Sequence, residues 1–260
     1  MSEPSTLAGR VCVLAGGSGG IGTVLARALH AEGAPLVLGY RRARERAEAL
    51  AVALRATGGA AVVTVGGDLA DAATRTALVT AACELGVPYG LVVLAGDPAR
   101  PASGVATQAE IEASLRDNYV GPILLARSFA AACEQNGTGG AIVLFSTMQG
   151  VALFEGSLGY AGPKAALVHG ARLLAKELGG PTDVRVNVVA PGVTAAGMAE
   201  KSIRAGKYDR FVHGGAIRRF GRPEDLVRAV RFFLEPDNYV TGQVLTVDGG
   251  LTLRRDVVRQ

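Results

Sequence analysis

The sequence has few of the residues that build disulfides or metal sites, with three cysteines and three histidines among 260 residues. Cys12, Cys83 and Cys133 are odd in number and lie far apart inside apolar segments. This pattern indicates buried, reduced thiols rather than a disulfide network or a zinc site. The histidines have no carboxylate or second histidine at metal-binding spacing, which predicts structural roles for them and no bound metal.

Long apolar runs and strong charge of one sign are also missing. No apolar run approaches a membrane span, and the start, MSEPSTLAGR, lacks the charged-then-apolar layout of a secretion signal. The net charge is +4, and the basic residues cluster at Arg41–Arg46 and Arg254–Arg259 without interleaved aromatic residues. We therefore expect a soluble, cytoplasmic protein that binds neither nucleic acid nor membrane.

The chain instead alternates short, β-rich apolar runs with segments of helical length. The runs predict seven strands, at 10–16, 35–40, 60–67, 89–96, 140–146, 184–191 and 243–250. The segments predict helices near 20–32, 43–57, 71–86, 107–134, 158–178 and 223–234. Because the runs are nearly continuous in Val, Leu and Ile, they favour a parallel sheet buried on both faces. We predict an α/β fold, a doubly wound parallel seven-stranded sheet with helices on both faces, in a single domain of residues 1–260.

One long stretch, 192–222, lies outside this alternation. It follows the carboxyl end of a strand, where ligands bind in such sheets, and this favours a substrate lid at 193–222; a plain helical insertion is the alternative. Its cations either attract an acidic carrier protein, a phosphate or a carboxylate substrate, or form a solvated helix face. These cations are Lys201, Arg204, Lys207, Arg210, Arg218 and Arg219.

The segment LAGGSGGIG, residues 14–22, joins the first predicted strand to the first predicted helix. Its spacing, Gly16-x3-Gly20-x-Gly22, is a variant of the dinucleotide fingerprint of Rossmann folds. Glycine there permits a tight turn and brings backbone N–H groups at a helix start close to a pyrophosphate. The sequence lacks the Gly-Lys-Ser/Thr of a P-loop, so a dinucleotide is favoured over ATP. The expected contacts are Gly16, Ser18, Gly19, Gly20, Ile21 and Gly22.

The end of the second strand distinguishes between dinucleotides, because an acidic residue there binds the ribose 2′-hydroxyl of NAD. This sequence has Tyr40, Arg41 and Arg42 instead. Guanidinium groups match the geometry of a 2′-phosphate, which favours NADP(H), with NAD(H) as the alternative if both arginines are merely solvated. Asp68, at the end of the third strand, either accepts a hydrogen bond from an adenine amino group or caps the next helix.

Tyr160 and Lys164, in YAGPK, stand four residues apart and so share one face of a helix. A phenol with a pKa of about 10 transfers protons poorly near neutrality unless a nearby cation stabilises the phenolate. Pro163 predicts a helix that begins near Gly159, because its missing N–H is harmless only in the first turn. The alternative is an ordinary surface pair of tyrosine and lysine.

These features together carry a resemblance that covers nearly the whole chain. The sequence resembles the short-chain dehydrogenase/reductase family, and most closely its 3-oxoacyl-carrier-protein reductase and glucose dehydrogenase-like branch. The matching motifs, in family order, are Gly16-x3-Gly20-x-Gly22, Asp68, Ala95-Gly96, Asn118, Tyr160-x3-Lys164, NVVAPG (187–192), GRPED (221–225) and YVTGQVLTVDGG (239–250).

The resemblance implies four catalytic residues. Tyr160 is expected to be the general acid in reduction and the base in oxidation, and Lys164 is expected to tune it and to bond the nicotinamide ribose. Asn118 is expected to hold a water that links Lys164 to solvent. The family's serine is replaced by Thr147, whose hydroxyl is expected to contact the carbonyl oxygen within a site narrowed by its β-branch.

The resemblance also implies cofactor contacts beyond the glycine loop. Pro191 and Gly192 are expected beside the nicotinamide, with the backbone of Val193 at its amide. The other expected contacts are Tyr40, Arg41, Arg42, Asp68, Leu69, Ala95, Gly96, Tyr160, Lys164 and Thr194.

Three places depart from the family pattern. Val93 and Leu94 replace an Asn pair that braces the central sheet, and Ala196 replaces a threonine near the nicotinamide amide. Gly19 replaces the basic residue often found in NADP-dependent members, so Arg41 and Arg42 alone carry that interpretation.

We predict an NADP(H)-dependent oxidoreductase that transfers a hydride between nicotinamide and a small-molecule ketone or secondary alcohol, acidic or carrier-bound if the lid cations hold it. The alternatives are an NAD-dependent secondary-alcohol dehydrogenase and a non-catalytic, cofactor-binding regulatory protein. The expected substrate walls are Ala95–Arg100, Met148–Leu153 and 194–215. By resemblance, helices 107–134 and 158–178 would pack in a homotetramer or homodimer.

Overall fold

The computed structural model describes residues 7–97, 106–180 and 182–254. Within these ranges, seven strands form one parallel sheet in the order β3-β2-β1-β4-β5-β6-β7. The order reverses at β1, which pairs with β2 on one side and with β4 on the other. The strands are β1 (Arg10–Ala15), β2 (Leu36–Tyr40), β3 (Val62–Gly66), β4 (Val87–Val93), β5 (Gly140–Phe145), β6 (Val184–Pro191) and β7 (Val244–Val247).

Helices connect or follow these strands throughout the described ranges. They are α1 (Gly20–Ala31), α2 (Arg44–Ala56), α3 (Ala72–Leu85), α4 (Gln108–Leu115), α5 (Gly121–Gln135), α6 (Leu158–Leu178), α7 (Glu200–Arg204), α8 (Asp209–His213), α9 (Pro223–Leu234) and α10 (Leu251–Arg254). In this part of the chain, no helix combines the length and the apolar character needed to cross a membrane.

Both faces of the sheet are covered, which explains why the strands are continuously apolar. Along β1, Cys12 and Leu14 belong to an apolar cluster with α1, α2 and α9. Val11, Val13 and Ala15 belong to a second cluster with α3, α5 and α6. Because successive side chains of a strand point to opposite faces, every position of a doubly covered strand is buried. The predicted doubly wound fold is confirmed.

The long helix predicted at 107–134 is interrupted. A π-helical turn, Arg116–Val120, separates α4 from α5 and widens the backbone there. Thr107 fixes the start of α4 by exchanging hydrogen bonds with Glu110 in a capping box. The π turn contains Asn118, and such turns inside helices frequently occur at functional positions.

Several strands end earlier than predicted because the chain turns out of the sheet at its carboxyl edge. β4 ends at Val93, and the next two backbone N–H groups, of Leu94 and Ala95, both donate to the Ala15 carbonyl at 2.9 Å. β1 ends before Gly16, whose φ of +94° is a conformation that favours glycine. These turns shape the sheet edge between β1 and β4.

The cysteines only partly match the prediction. Cys12 and Cys133 are buried, and burial raises the pKa of each thiol to about 12. The prediction is wrong for Cys83, which is exposed on α3. His30 is buried with its Nε2 3.0 Å from the Ala60 carbonyl oxygen, the structural role expected of it. Among the described residues, no group of three or more His, Cys, Asp or Glu side chains is placed to hold a metal.

The segment 193–222 packs on a third, smaller apolar cluster. It consists of a 3-10 turn, Gly197–Ala199, followed by α7 and α8. Phe211 of α8 is buried against Met148, which follows β5, and Leu251, which opens α10. This cluster anchors the segment beside the turns that follow β5 and β6; its role as a lid stays a prediction.

Candidate active site

A cleft of about 870 Å³ lies at the carboxyl edge of the sheet, where the strand order reverses. Ligands of open α/β sheets bind at this point, because the loops after neighbouring strands diverge there. Most of the predicted site residues line this cleft. They are Gly16, Ser18, Gly19, Gly20, Ile21, Gly22, Tyr40, Arg41, Arg42, Ala95, Gly96, Thr147, Tyr160, Lys164, Pro191, Gly192, Val193 and Thr194.

A smaller cavity of about 170 Å³ shares residues of β1, β2 and β4 loops with the cleft. Asp68 and Leu69 line it, as does Asp117 of the π turn. Together the two cavities are lined by all of the predicted site residues except Asn118, which lies behind the wall, next to Gly96.

The glycine loop is packed so closely that side chains do not fit at two of its glycines. A Cβ on Gly22 would lie 2.5 Å from the Gly16 carbonyl oxygen, and a Cβ on Gly20 would lie 2.7 Å from the Gly197 backbone nitrogen. α1 begins at Gly20 after a glycine N-cap that makes no side-chain capping bond, so its first N–H groups are available to a ligand. The loop fits a diphosphate, and the cleft beside it fits the remainder of a dinucleotide.

Arg41 is engaged by carboxylates rather than held free for a phosphate. Its Nη1 lies 3.0 Å from Asp117 Oδ2 and 3.4 Å from Asp68 Oδ2, and its Nη2 lies 3.5 Å from Asp97 Oδ2. The Arg41 guanidinium therefore faces three carboxylates, one of which, Asp117, also lies 3.6 Å from Arg116 Nε through its Oδ1. Arg42 also lines the cleft, together with Arg46 of α2, and neither forms an ion pair within the described ranges.

Asp68 does not cap α3, so that alternative is wrong. The N-cap of α3 is Asp71, whereas Asp68 Oδ1 accepts a hydrogen bond from the Ala70 N–H at 3.0 Å and its Oδ2 faces Arg41. Beside it in the smaller cavity, Asp117 has a buried Oδ1 with no hydrogen-bond partner in the described structure. Acceptors of this kind suit an amino group, and the predicted contact of Asp68 with adenine stays a prediction.

α6 carries the Tyr160–Lys164 pair into the cleft wall, so the two residues are not a surface pair. The helix begins at Leu158, close to the predicted start. The expectation for Pro163 is wrong, because counting from Leu158 it is the sixth helical residue and lies beyond the first turn. Since proline has no N–H, the Gly159 carbonyl, which also lines the cleft, receives no helical hydrogen bond from position 163.

Lys164 is buried beneath the cleft, with 2% of its surface exposed. Its Nζ donates to the Phe145 carbonyl at 2.8 Å and lies 6.0 Å from the centroid of the Tyr160 ring. Burial without a carboxylate partner lowers the pKa of the Lys164 ammonium to about 7. Lys164 can therefore hold or lose a proton near neutral pH.

The π turn points the Asn118 side chain inward, where it is fully buried. Its Oδ1 accepts from the Asp97 N–H at 3.0 Å, while its Nδ2 donates to the Asp97 carbonyl at 2.9 Å and to Ser114 Oγ at 3.0 Å. A Cβ on Gly96 would lie 2.8 Å from Asn118 Oδ1 and 3.1 Å from Lys164 Nζ. Asn118 thus fixes the loop after β4 directly beside Lys164, and its water relay stays a prediction.

The turn after β5 places two hydroxyl groups near the α6 start. The Ser146 hydroxyl donates to the Lys164 carbonyl at 3.0 Å, which ties β5 to α6. Thr147 caps the 3-10 turn Met148–Gly150, and its Oγ1 accepts from the Gln149 N–H at 3.4 Å. Because a hydroxyl that accepts can still donate, Thr147 can bond a carbonyl oxygen in the cleft.

The chain after β6 closes the other side of the cleft. A Cβ on Gly192 would lie 2.6 Å from the Asp248 Cβ, so glycine is required by packing. The buried Thr194 hydroxyl donates to the Gly192 carbonyl at 3.3 Å. Ala196 lies against the glycine loop, with its Cβ 3.2 Å from the position of a Cβ on Gly20. The nicotinamide contacts expected of this segment stay predictions.

Several lining residues were missed by sequence reasoning. Arg46 lies four residues after Arg42, in the first turn of α2, within a run of arginines that the sequence displays. Asp117 meets Arg41 across 76 positions, and no local pattern reveals such a pair. Of the expected walls, the cleft includes Gln149 and Tyr208 but not 150–153, and residues 98–100 lie outside the described ranges.

Comparisons with known proteins agree with this geometry. A family model described as Enoyl-(Acyl carrier protein) reductase matches residues 15–252. The 2-(S)-hydroxypropyl-CoM dehydrogenase 3 of Xanthobacter autotrophicus is 33% identical over 257 residues, covering 95% of this chain and 98% of that protein. The 3-oxoacyl-[acyl-carrier-protein] reductase of Aggregatibacter actinomycetemcomitans is 30% identical over 241 residues, covering 92% and 98%. The crystal structure of levodione reductase superposes with a TM-score of 0.85 at 28% identity, covering 95% and 98%.

The fold and the cleft define a dinucleotide-binding α/β protein, and the comparisons define its family. The chain belongs to the short-chain dehydrogenase/reductase family, in the 3-oxoacyl-carrier-protein reductase-like branch that its motifs predict. It is an oxidoreductase of the kind that acts on CH–OH and C=O groups with NAD(P)(H).

Proposed function

We propose that the protein is an NADP(H)-dependent carbonyl reductase in which Tyr160 is the general acid, and that it oxidises the corresponding secondary alcohol in reverse. The observation that carries the proposal is the pairing of Tyr160 with the buried Lys164 in the wall of a dinucleotide-sized cleft. Relatives named as a hydroxypropyl-CoM dehydrogenase and a 3-oxoacyl reductase support a reaction that interconverts an alcohol and a carbonyl group.

The protonation step follows from the side chains around Tyr160. The bound cofactor supplies the hydride for reduction and accepts it in oxidation. Tyr160 gives its hydroxyl proton to the carbonyl oxygen, on which negative charge develops, while Thr147 donates a hydrogen bond to the same oxygen. The Lys164 ammonium stabilises the phenolate left behind, because the ammonium is buried and lies 6.0 Å from the centroid of the Tyr160 ring.

The preference for NADP(H) rests on the free arginines rather than on Arg41. Arg42 and Arg46 line the cleft at the end of β2 and carry charge that no described carboxylate neutralises. A guanidinium group can bond a 2′-phosphate through two N–H groups at once. NAD(H) is the second candidate, and the three carboxylates around Arg41 favour it because their negative charge opposes a phosphate.

Replacing the phenol with a phenyl ring tests the proposal. Tyr160→Phe should lower kcat for ketone reduction by roughly 10²- to 10⁴-fold, the usual contribution of a general acid, and leave cofactor affinity nearly unchanged. Turnover is followed by NADPH absorbance over a panel of ketones, and affinity by quenching of NADPH fluorescence. Tyr239→Phe is the matched control, because Tyr239 is fully exposed and does not line the cleft. A Tyr160→Phe enzyme as active as the wild type contradicts the proposal.

A further inference from the structure

The cleft has a strongly one-sided charge. Within the described ranges, five basic residues and no acidic residue line the cleft. Arg41, Arg42 and Arg46 lie where β2 ends and α2 begins, which is the adenosine end in the proposed function. Lys164 lies beneath Tyr160. Lys207 is the basic residue that remains without a role, and it comes from the segment 193–222.

Two features position the Lys207 backbone at the cleft wall: a hydrogen bond of its own N–H, and the packing of the next residue, Tyr208. Its N–H donates to the Ser202 carbonyl at 3.1 Å, and it follows Gly206, whose φ is +72°. The Tyr208 ring stacks on Phe211, with centroids 6.3 Å apart, and Phe211 is buried in the cluster that contains Met148. Lys207 therefore lies in the cleft wall beside Tyr208, which packs against the cluster containing Met148, and the Lys207 side chain is exposed.

Two of the other five cations of the segment form ion pairs, which Lys207 does not. Arg204 pairs with Glu200, and Arg219 pairs with Asp225 at 2.7 Å. In the described part of the chain, Lys207 has no ion pair; its Nζ lies 5.7 Å from the centroid of the Tyr208 ring. Lys207 is also the one member of the six lid cations that lines the cleft. Its position in the cleft wall, with no carboxylate neutralising it, leaves its charge available to an anionic ligand.

We infer that Lys207 binds the anionic group of a small ketone substrate, a carboxylate or a phosphate, whose carbonyl faces Tyr160. The inference rests on the proposed function, since it places the carbonyl at Tyr160. An ammonium on a flexible stem accepts either anion as a point charge, so the two are separated by experiment. The partly open position of Lys207 predicts that the preference weakens as salt is added.

Pairs of substrates that differ in charge test the inference. They are acetoacetate with methyl acetoacetate, levulinate with methyl levulinate, and dihydroxyacetone phosphate with dihydroxyacetone. For each pair, kcat/KM of the anion is divided by kcat/KM of the neutral partner. This ratio is measured in the wild type, Lys207→Ala, Lys207→Arg and Lys201→Ala. Lys201 is a matched control, because it is exposed on α7 of the same segment but does not line the cleft.

We expect the wild type to prefer the anion in the carboxylate pairs or in the phosphate pair, which identifies the group bound. Lys207→Ala should lower that ratio about tenfold, as expected when one charge-assisted hydrogen bond is lost, whereas Lys207→Arg and Lys201→Ala should largely keep it. Added salt should lower the ratio in the wild type but not in Lys207→Ala.

Two outcomes would overturn the inference while leaving the proposed function intact: neutral ketones preferred in every pair, or an unchanged ratio in Lys207→Ala. If the unchanged ratio is accompanied by weaker NADPH binding, Lys207 is assigned to the cofactor phosphates instead. If no ketone is reduced, the proposed function fails instead. Calorimetric titration of NADP⁺-loaded protein with levulinate and with dihydroxyacetone phosphate then decides the inference, because equal affinities of the wild type and Lys207→Ala for both anions would refute it.

Discussion

Removing the Lys164 ammonium tests whether a buried positive charge enables the Tyr160 hydroxyl to donate its proton near neutral pH. Lys164→Met keeps an unbranched side chain of similar length at a site that is 2% exposed, and it removes the ammonium. A buried charge without a carboxylate partner is costly, so the substitution should not unfold the protein. The pKa of Lys164 in the folded protein, about 7, lies below its ordinary 10.5. The wild type therefore loses stability as the pH falls from about 10.5 to about 7, and the Met variant is spared that loss.

The size of the catalytic effect follows from the distance between the two groups. At 6.0 Å from the ring centroid, and with an effective dielectric constant of about 20, a unit charge stabilises a phenolate by about 3 kcal/mol. The phenolate carries only part of its charge in the transition state. We therefore expect kcat for reduction to fall by roughly 10- to 100-fold.

The assay measures kcat for ketone reduction and cofactor affinity separately, below pH 7 where Lys164 is charged. In the wild type, kcat/KM for the cofactor should decline as pH rises through about 7, because Lys164 loses its charge there, and the Met variant should lack this decline. Lys176→Met is the control, since Lys176 is exposed in the last turn of the same helix. A Lys164→Met enzyme whose kcat stays within threefold of the wild type would refute the electrostatic role.

Two further substitutions test the cofactor site. Arg42→Ala should weaken NADPH binding about tenfold or more and change NADH binding little, because it removes a charge-assisted bond to the 2′-phosphate; Arg44→Ala is the control, since Arg44 pairs with Glu48 outside the cleft. An unchanged ratio of the two affinities in Arg42→Ala would favour the NAD alternative. Gly22→Ala should abolish binding of both dinucleotides, because the new Cβ would lie 2.5 Å from a backbone oxygen of the same loop, whereas Gly162→Ala, with nothing within 4 Å, should be harmless in thermal melts. Normal cofactor binding by Gly22→Ala would show that the loop can relax.

The fold was predictable because a parallel strand that is buried on both faces is continuously apolar in sequence. Each of the seven apolar runs became a strand, and beyond the first residue of β1 and of β4 every position of β1, β4 and β5 is buried between the two layers of helices. The ends were less predictable. β4 stops at Val93, although the apolar sequence continues, because the next two N–H groups turn to the Ala15 carbonyl. The hydrophobicity of the side chains does not determine at which residue the backbone N–H groups leave the regular hydrogen bonding of the strand.

The interrupted helix shows a second limit. The composition from Thr107 onward favours one continuous helix, but Gly121 and Pro122 directly follow the widened turn at Arg116–Val120. Pro122 has no N–H to donate to the Asn118 carbonyl, which is a local signal for an interruption. The long-range part is not visible in the sequence: the Asn118 side chain bonds both backbone groups of Asp97, 21 positions away. Motifs with a fixed local geometry, such as the glycine loop and the Tyr160–Lys164 spacing, were predictable because both members lie within one turn or one helix.

Arg41 shows why a basic residue after β2 is an incomplete sign of NADP. Its three carboxylate partners follow β3, β4 and α4, which are distant in sequence, yet the carboxyl ends of parallel strands bring them to one edge. The same contacts connect two ends of the site, because Asp97 is also held through its backbone by Asn118, and Asp117 precedes Asn118 in the π turn. Arg41 therefore braces the loop beside Lys164 as well as the end of β2, where the cofactor adenosine is proposed to bind. For this reason the cofactor preference is better tested at Arg42, where a loss of affinity cannot be ascribed to a displaced Asn118.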